Sequence, residues 1–141
     1  MNRQDRQDAK GETDEPGVVL DRLAARVIGA AIEVHRILGP GLLESVYEEA
    51  LCVELSLLRI PFARQVSRNV EYKLHHVGEA RLDLLVDEHL IVELKSADSI
   101  APIHFVQVLS YLRITRLRLG LLINFNVKEL RQGIKRLVYT P

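Results

Sequence analysis

The segment 81-RLDLLVDEHLIVELKS-96 constrains the fold more than any other. Two apolar runs flank the polar tripeptide Asp87-Glu88-His89, a pattern that predicts an antiparallel hairpin. A three-residue loop is a common hairpin length. With residues 87–89 as the loop, Val86 faces Leu90, Leu85 faces Ile91 and Asp83 faces Glu93. Leu82, Leu84, Val86, Leu90, Val92 and Leu94 then share one wholly apolar face. Asp83, Glu93 and Lys95 gather on the other, near the open end of the hairpin. A loop of two or four residues would put the acids on different faces, so the arrangement depends on register.

The rest of the chain supplies cover for such a hairpin. Leu23, Val27, Ala30, Ala31, Val34 and Leu38 recur at helical spacing, predicting a helix from about Asp21, its N-cap, to Leu38. Gly39-Pro40-Gly41 stops it. A second helix is expected from Leu43 to Leu58, burying Val46, Ala50, Val53 and Leu57, and Arg59-Ile60-Pro61 ends it. FARQV and NVEYKLHHV read as strands, with HHVGE turning into ARLDLLV. Pro102 suits the first turn of a helix that reaches Thr115 and buries Phe105, Val108, Leu109 and Leu112. LGLLINF is a continuous apolar strand, expected at the sheet centre. Asn126 is the expected cap of a last helix from Val127 to Arg136, before a terminal strand LVYT. The order α-α-β-β-β-β-α-β-α(-β) is that of an α/β fold, a mixed sheet flanked by helices. A chain of 141 residues suits one core, so residues 18–141 are expected as a single domain behind a disordered polar tail over 1–17.

Composition narrows the function. There is no Trp and few aromatics, which argues against a stacking platform for single-stranded nucleic acid. No apolar run approaches the ~18 residues of a membrane span, and the opening MNRQDRQDAKGETDEPG lacks the apolar segment of a secretory signal. Cys52 is the single cysteine, which fits a reducing cytosol and a cytoplasmic protein. Lys and Arg number twelve against eighteen acids up to Asp98, and seven against one after it. That basic final third either faces a polyanion or is ordinary solvated surface.

Asp83 and Glu93 raise a chemical question. Opposed β-carbons lie ~5 Å apart, and two buried carboxylates at that distance repel. A divalent cation offsets the repulsion, and oxygen donors suit Mg²⁺ or Mn²⁺. Alternatively, Lys95 neutralises the pair as an ion-paired cluster at a sheet edge. Both readings stand on spacing alone. His35 and His104 are expected as structural histidines with satisfied hydrogen bonds. The sequence has no GxSxG, HExxH, Walker-type GKS/T or CxxC motif.

Asp83 followed by 93-Glu-Leu-Lys-95 on the next strand resembles the D…(D/E)xK pattern of the PD-(D/E)XK nuclease superfamily, with Leu82 where the motif's proline stands. The segment 39-GPGLLESVYEEAL-51 is similar to the signature of the GxxExxY protein family, through Gly41, Glu44 and Tyr47. RLDLLV, VELKS, LGLLINFNV and GIKR follow that family's run, and the similarity extends from about Leu23 to Val138. The segment 107-QVLSY-111 resembles the QxxxY motif of RecB-type members. These resemblances imply a nuclease-like fold. They also imply a Mg²⁺ or Mn²⁺ site on Asp83, Glu93 and the Leu94 backbone carbonyl, with Glu44 joining directly or through water. Lys95 would act on water or the transition state, and Gln107 and Tyr111 would meet the phosphate backbone; the Tyr47 hydroxyl would bond Glu44 or a phosphate, or its ring is simply core. Arg113, Arg116, Arg118, Lys128, Arg131, Lys135 and Arg136 become phosphate contacts. The expected activity is hydrolysis of phosphodiester bonds, in DNA rather than RNA. The alternative is a non-catalytic nuclease fold that binds nucleic acid or assembles as a homo-oligomer through helices 21–58.

Overall fold

The computed structural model describes residues 16–141, so the tail expected over 1–17 lies, but for two residues, outside the described residues. Helix α1 spans Val18–Leu38 and buries Ala24, Val27, Ala30, Ala31 and Val34. It starts before Asp21, the expected cap. The Asp21 carboxylate instead accepts from Arg136 Nη2 at 2.7 Å. Gly39 and Gly41, both at positive φ, then reverse the chain. Helix α2, Glu44–Leu57, buries Tyr47, Leu51, Cys52 and Leu55.

That buried set corrects the expected stripe, since Val46, Val53 and Leu57 are exposed. Apolar residues line two sides of α2, and periodicity cannot choose between them. Packing chooses: Tyr47 stacks on Phe125, ring centroids 4.5 Å apart and planes 6° from parallel.

The strands are β1 (Phe62–Tyr72), β2 (His75–Val86) and β3 (Leu90–Lys95). Helix α3 (Pro102–Thr115), β4 (Leu119–Asn124), a 3₁₀ turn at Leu130–Gly133 and β5 (Ile134–Val138) complete the fold. The sheet order is β1-β2-β3-β4-β5. Only β3 and β4 run parallel, with α3 as their crossover.

Two details depart from expectation. The chain makes one long strand of FARQV and NVEY and turns at Lys73-Leu74, both in the left-handed region. Gly78, the expected turn, sits inside β2 opposite Val70. The last helix is replaced by the 3₁₀ turn and β5. Asn126 Nδ2 donates to Asp98 Oδ1 rather than capping a helix, and Gly133 passes so close to the Asn124 carbonyl that a β-carbon would collide with it.

The sheet is covered on both faces, as a mixed sheet with helical connections requires. On one face Leu84, Val86, Leu90, Val92, Leu94, Leu121 and Ile123 pack under α1 and α2. On the other, Leu82, Leu85, Ile91 and Leu122 pack with Val108 and Leu112 of α3. Burying each such leucine contributes about 2 kcal/mol. Gly120 lets α3 approach: a β-carbon there would lie 2.9 Å from Val108 Cγ1. Leu82 was expected beside Leu84 but packs on the opposite face. The alternation breaks at the rung between them, where Gln65, at φ 50, lies opposite Asp83. Phe62 and Val66 change faces across the same rung. No helix of the described residues is long and apolar enough to cross a membrane.

Candidate active site

The hairpin register follows the three-residue loop: Val86 pairs with Leu90, Leu85 with Ile91 and Leu84 with Val92. At the next rung the ladder gives way to side chains. The Asp83 N–H donates to Glu93 Oε1 at 3.0 Å, and the Leu94 N–H donates to Asp83 Oδ2 at 2.9 Å. Each acid is thus held by the backbone of the opposite strand, and each keeps a second oxygen. Glu93 is 4% exposed, whereas Asp83 and Lys95 are half-buried.

Burial, reinforced by the Asp83 charge, pushes the Glu93 carboxyl up to about 8, against the opposing pull of the Asp83 N–H and Lys95. Carboxyl oxygens crowded at low exposure fit a hard divalent cation, which would take the place of the Glu93 proton and offset the repulsion. The Leu94 carbonyl points to the β2 side. Lys95 O accepts from Phe125 N–H on the β4 side, so the preceding carbonyl turns toward β2.

Two further elements converge on the pair. Glu44, exposed in the first turn of α2, has its pKa raised by partial burial; Lys95 opposes the shift, and Asp83 and Glu48 add to it. Tyr111, half-buried on α3, has its hydroxyl pKa raised by burial and then by Glu93 and Asp83. The acids, Lys95, Glu44 and Tyr111 therefore share one electrostatic neighbourhood. Glu44 does not close a ligand cage, since no group of three His, Cys, Asp or Glu side chains among the described residues is arranged to hold a metal ion. Gln107 is exposed one helical turn before Tyr111.

Other expected site residues lie elsewhere. Tyr47 is fully buried. Its hydroxyl donates to Gly39 O at 2.6 Å and accepts from Leu42 N–H at 3.1 Å. It braces the glycine turn and does not face a substrate. Arg113 and Arg116 also miss the acids, because α3 runs back along the sheet. Arg116 leads into β4 where Leu119 pairs with Leu90, whereas Lys95 pairs with Asn124 at the other end. Five strand residues put roughly 16 Å between those ends. Lys135 stands opposite Leu122, the β4 partner of Glu93, two strands across from that acid, and Arg136 donates to Asp21 of α1. Lys128 follows β4 at the site end. Arg131 lies 3.8 Å from Glu129. His35 Nε2 bonds Val127 O at 2.8 Å, and His104 Nδ1 accepts from Ala101 N–H. Both histidines are structural, as expected.

Sequence reasoning missed Asn124. It is 2% exposed, accepts from the N–H groups of Ala97 and Asn126, and donates to Ala97 O. It clamps the segment that follows Lys95. The visible signal was one amide at the end of the apolar run LGLLINF.

A family model for the PD-(D/E)XK nuclease superfamily matches residues 21–137. Neither the curated proteins nor the solved structures yield a match. The match spans both helical layers, all five strands except the last residue of β5, and the acid–acid–lysine rung. The chain belongs to the PD-(D/E)XK nuclease superfamily.

Proposed function

We propose that this chain is a metal-dependent nuclease hydrolysing phosphodiester bonds, with DNA the favoured substrate. The observation that carries the reading is the buried Asp83–Glu93 pair, pinned by backbone N–H groups, with Lys95 two residues further along β3. Asp83, Glu93 and the Leu94 carbonyl are the groups to hold Mg²⁺ or Mn²⁺, with Glu44 adding charge from α2. The bound ion supplies acidified water and offsets charge developing on the phosphate. Lys95 orients that water, assists loss of its proton, and places a positive charge beside the phosphate. Tyr111 and Gln107 position the strand from α3, and the likeness of this pair to QxxxY is what favours DNA.

The test is incubation of plasmid and linear DNA with wild type, Lys95→Ala and Asp83→Ala, each with Mg²⁺, Mn²⁺ or chelator. Wild type cuts only with metal. Lys95→Ala loses cleavage but binds DNA within about twofold of wild type, since one point charge among several phosphate contacts is removed. Asp83→Ala also loses the rise in melting temperature that Mn²⁺ gives wild type. Undiminished cutting by either variant refutes the assignment.

A second reading, a nuclease fold used for self-assembly, is favoured by one observation. Most exposed large apolar side chains lie on α1, α2 and their connection, including Ile37, Leu43, Val53 and Leu57.

A further inference from the structure

An open cleft of about 510 Å³ is lined by Gly41, Leu42, Leu43, Val46, Ser96 and Asn126. Its size is within the roughly 300–1,000 Å³ of small-molecule pockets. Its walls come from the two segments that carry the site: Leu43 precedes Glu44, and Ser96 follows Lys95. Ser96 Oγ donates to Leu42 O at 2.6 Å and ties those walls together. Asn126 is held by its N–H, which bonds Asn124 Oδ1 at 3.1 Å, and by Nδ2, which bonds Asp98 Oδ1. Its side-chain oxygen and second amide hydrogen are left for a ligand.

The wall chemistry is wrong for a phosphate. Leu42, Leu43 and Val46 are 39%, 74% and 39% exposed, on the segment around Glu44. A charged, hydrated sugar-phosphate chain gains nothing from three aliphatic side chains. One nucleobase does, held between aliphatic side chains and not stacked on an aromatic platform: its faces are apolar, and its edge carries donors and acceptors that match an amide and a hydroxyl at a rim. A base paired and stacked in a duplex cannot reach such a cleft; one in a single strand, or splayed from an end, can.

We propose that this cleft takes an unpaired nucleobase of the strand being cut, so that the preferred substrate is single-stranded or carries an unpaired nucleotide beside the scissile bond. This rests on the nuclease reading and specifies its substrate class.

The test is fluorescence anisotropy with the full chain in chelator, comparing a single-stranded oligothymidylate with an abasic strand of equal length. Both carry the same phosphates, so the difference reports the bases. Wild type binds the base-bearing strand about tenfold more tightly, and Leu43→Ser binds the two alike within about twofold. Leu43 is the N-cap of α2 and makes no side-chain cap bond, so serine there supports the helix while removing the apolar wall. Equal affinities in wild type, or an undiminished preference in Leu43→Ser, overturn the proposal. Cleavage of the same single-stranded oligothymidylate with Mn²⁺ is measured in parallel. Cleavage without base preference removes the cleft assignment and leaves the nuclease reading. Base preference without cleavage does the reverse.

Discussion

Glu93 is the residue on which most of the chemistry turns. Its carboxyl holds a proton in the folded chain at pH values where an unfolded chain would have lost it. The folded state therefore binds more protons than the unfolded one between the ordinary carboxylate range and about 8, so stability falls as pH rises through that window. The penalty is absent below the unfolded value, complete above the folded one, and at most about 5 kcal/mol at ~1.4 kcal/mol per pH unit. In chelator, the melting temperature of wild type is expected to drop by several degrees between pH 5 and 8.5. Glu93→Gln, which keeps an acceptor for the Asp83 N–H, flattens that slope, and Mn²⁺ restores wild type most strongly at the alkaline end, where no proton competes. A slope unchanged in Glu93→Gln would show that the pair does not titrate in this way. The juxtaposition of Asp83 and Glu93, with Lys95 two residues on, was legible because alternation and one loop length fix their register. Tyr47 was misread because a phenol beside an acid looks like a ligand group, and only packing reveals that Phe125, Gly39 and Leu42 already claim it.

At the scale of elements, the β1–β2 hairpin turns on the least suitable residue available. Leu74 has φ 70 in a two-residue turn and is 92% exposed. Turns of this geometry favour Asn-Gly, because a side chain costs energy at positive φ and glycine does not. Leu74→Gly is expected to raise stability by about 1 kcal/mol, a few degrees in melting temperature, because the leucine side chain points into solvent and its removal opens no hole in the core. A lowered melting temperature would mean that the side chain is anchored. The same absence of glycine explains why the turn was invisible in the sequence, while Gly78 drew the expectation four residues too far along. Helix α2 was predicted within a residue at each end, yet with the wrong face inward. Val46, Val53 and Leu57 compete with Tyr47, Leu51 and Leu55, and the tie is broken by Phe125, almost eighty residues downstream. The last helix failed for a similar reason. Asn126 has a capping residue's chemistry, but its amide is spent on Asp98.

Across the whole molecule, function segregates by end and by layer. Glu93, Lys95 and Asn124 occupy the carboxyl ends of the parallel pair β3–β4, with Asp83 across from Glu93 on β2, while Arg113 and Arg116 lie toward the far end. The basic third of the sequence is therefore divided between the two ends of the sheet, which composition could not convey because it ignores the direction of α3. The helical layer of α1 and α2 keeps apolar residues outward. If that layer joins copies, Val53→Glu with Leu57→Glu lowers the mass measured by light scattering from oligomer to monomer without loss of helicity; a wild type already monomeric removes the assembly reading. The rung at Asp83 and Glu93 has one more implication. Each of these acids is seated by an amide of the strand across from it, so neither strand alone defines their geometry. A nascent polypeptide that has not yet zipped this hairpin has two unrelated acids and no reaction centre. On the nuclease reading proposed above, a cell making this chain is thereby shielded from it until the chain is complete enough to fold.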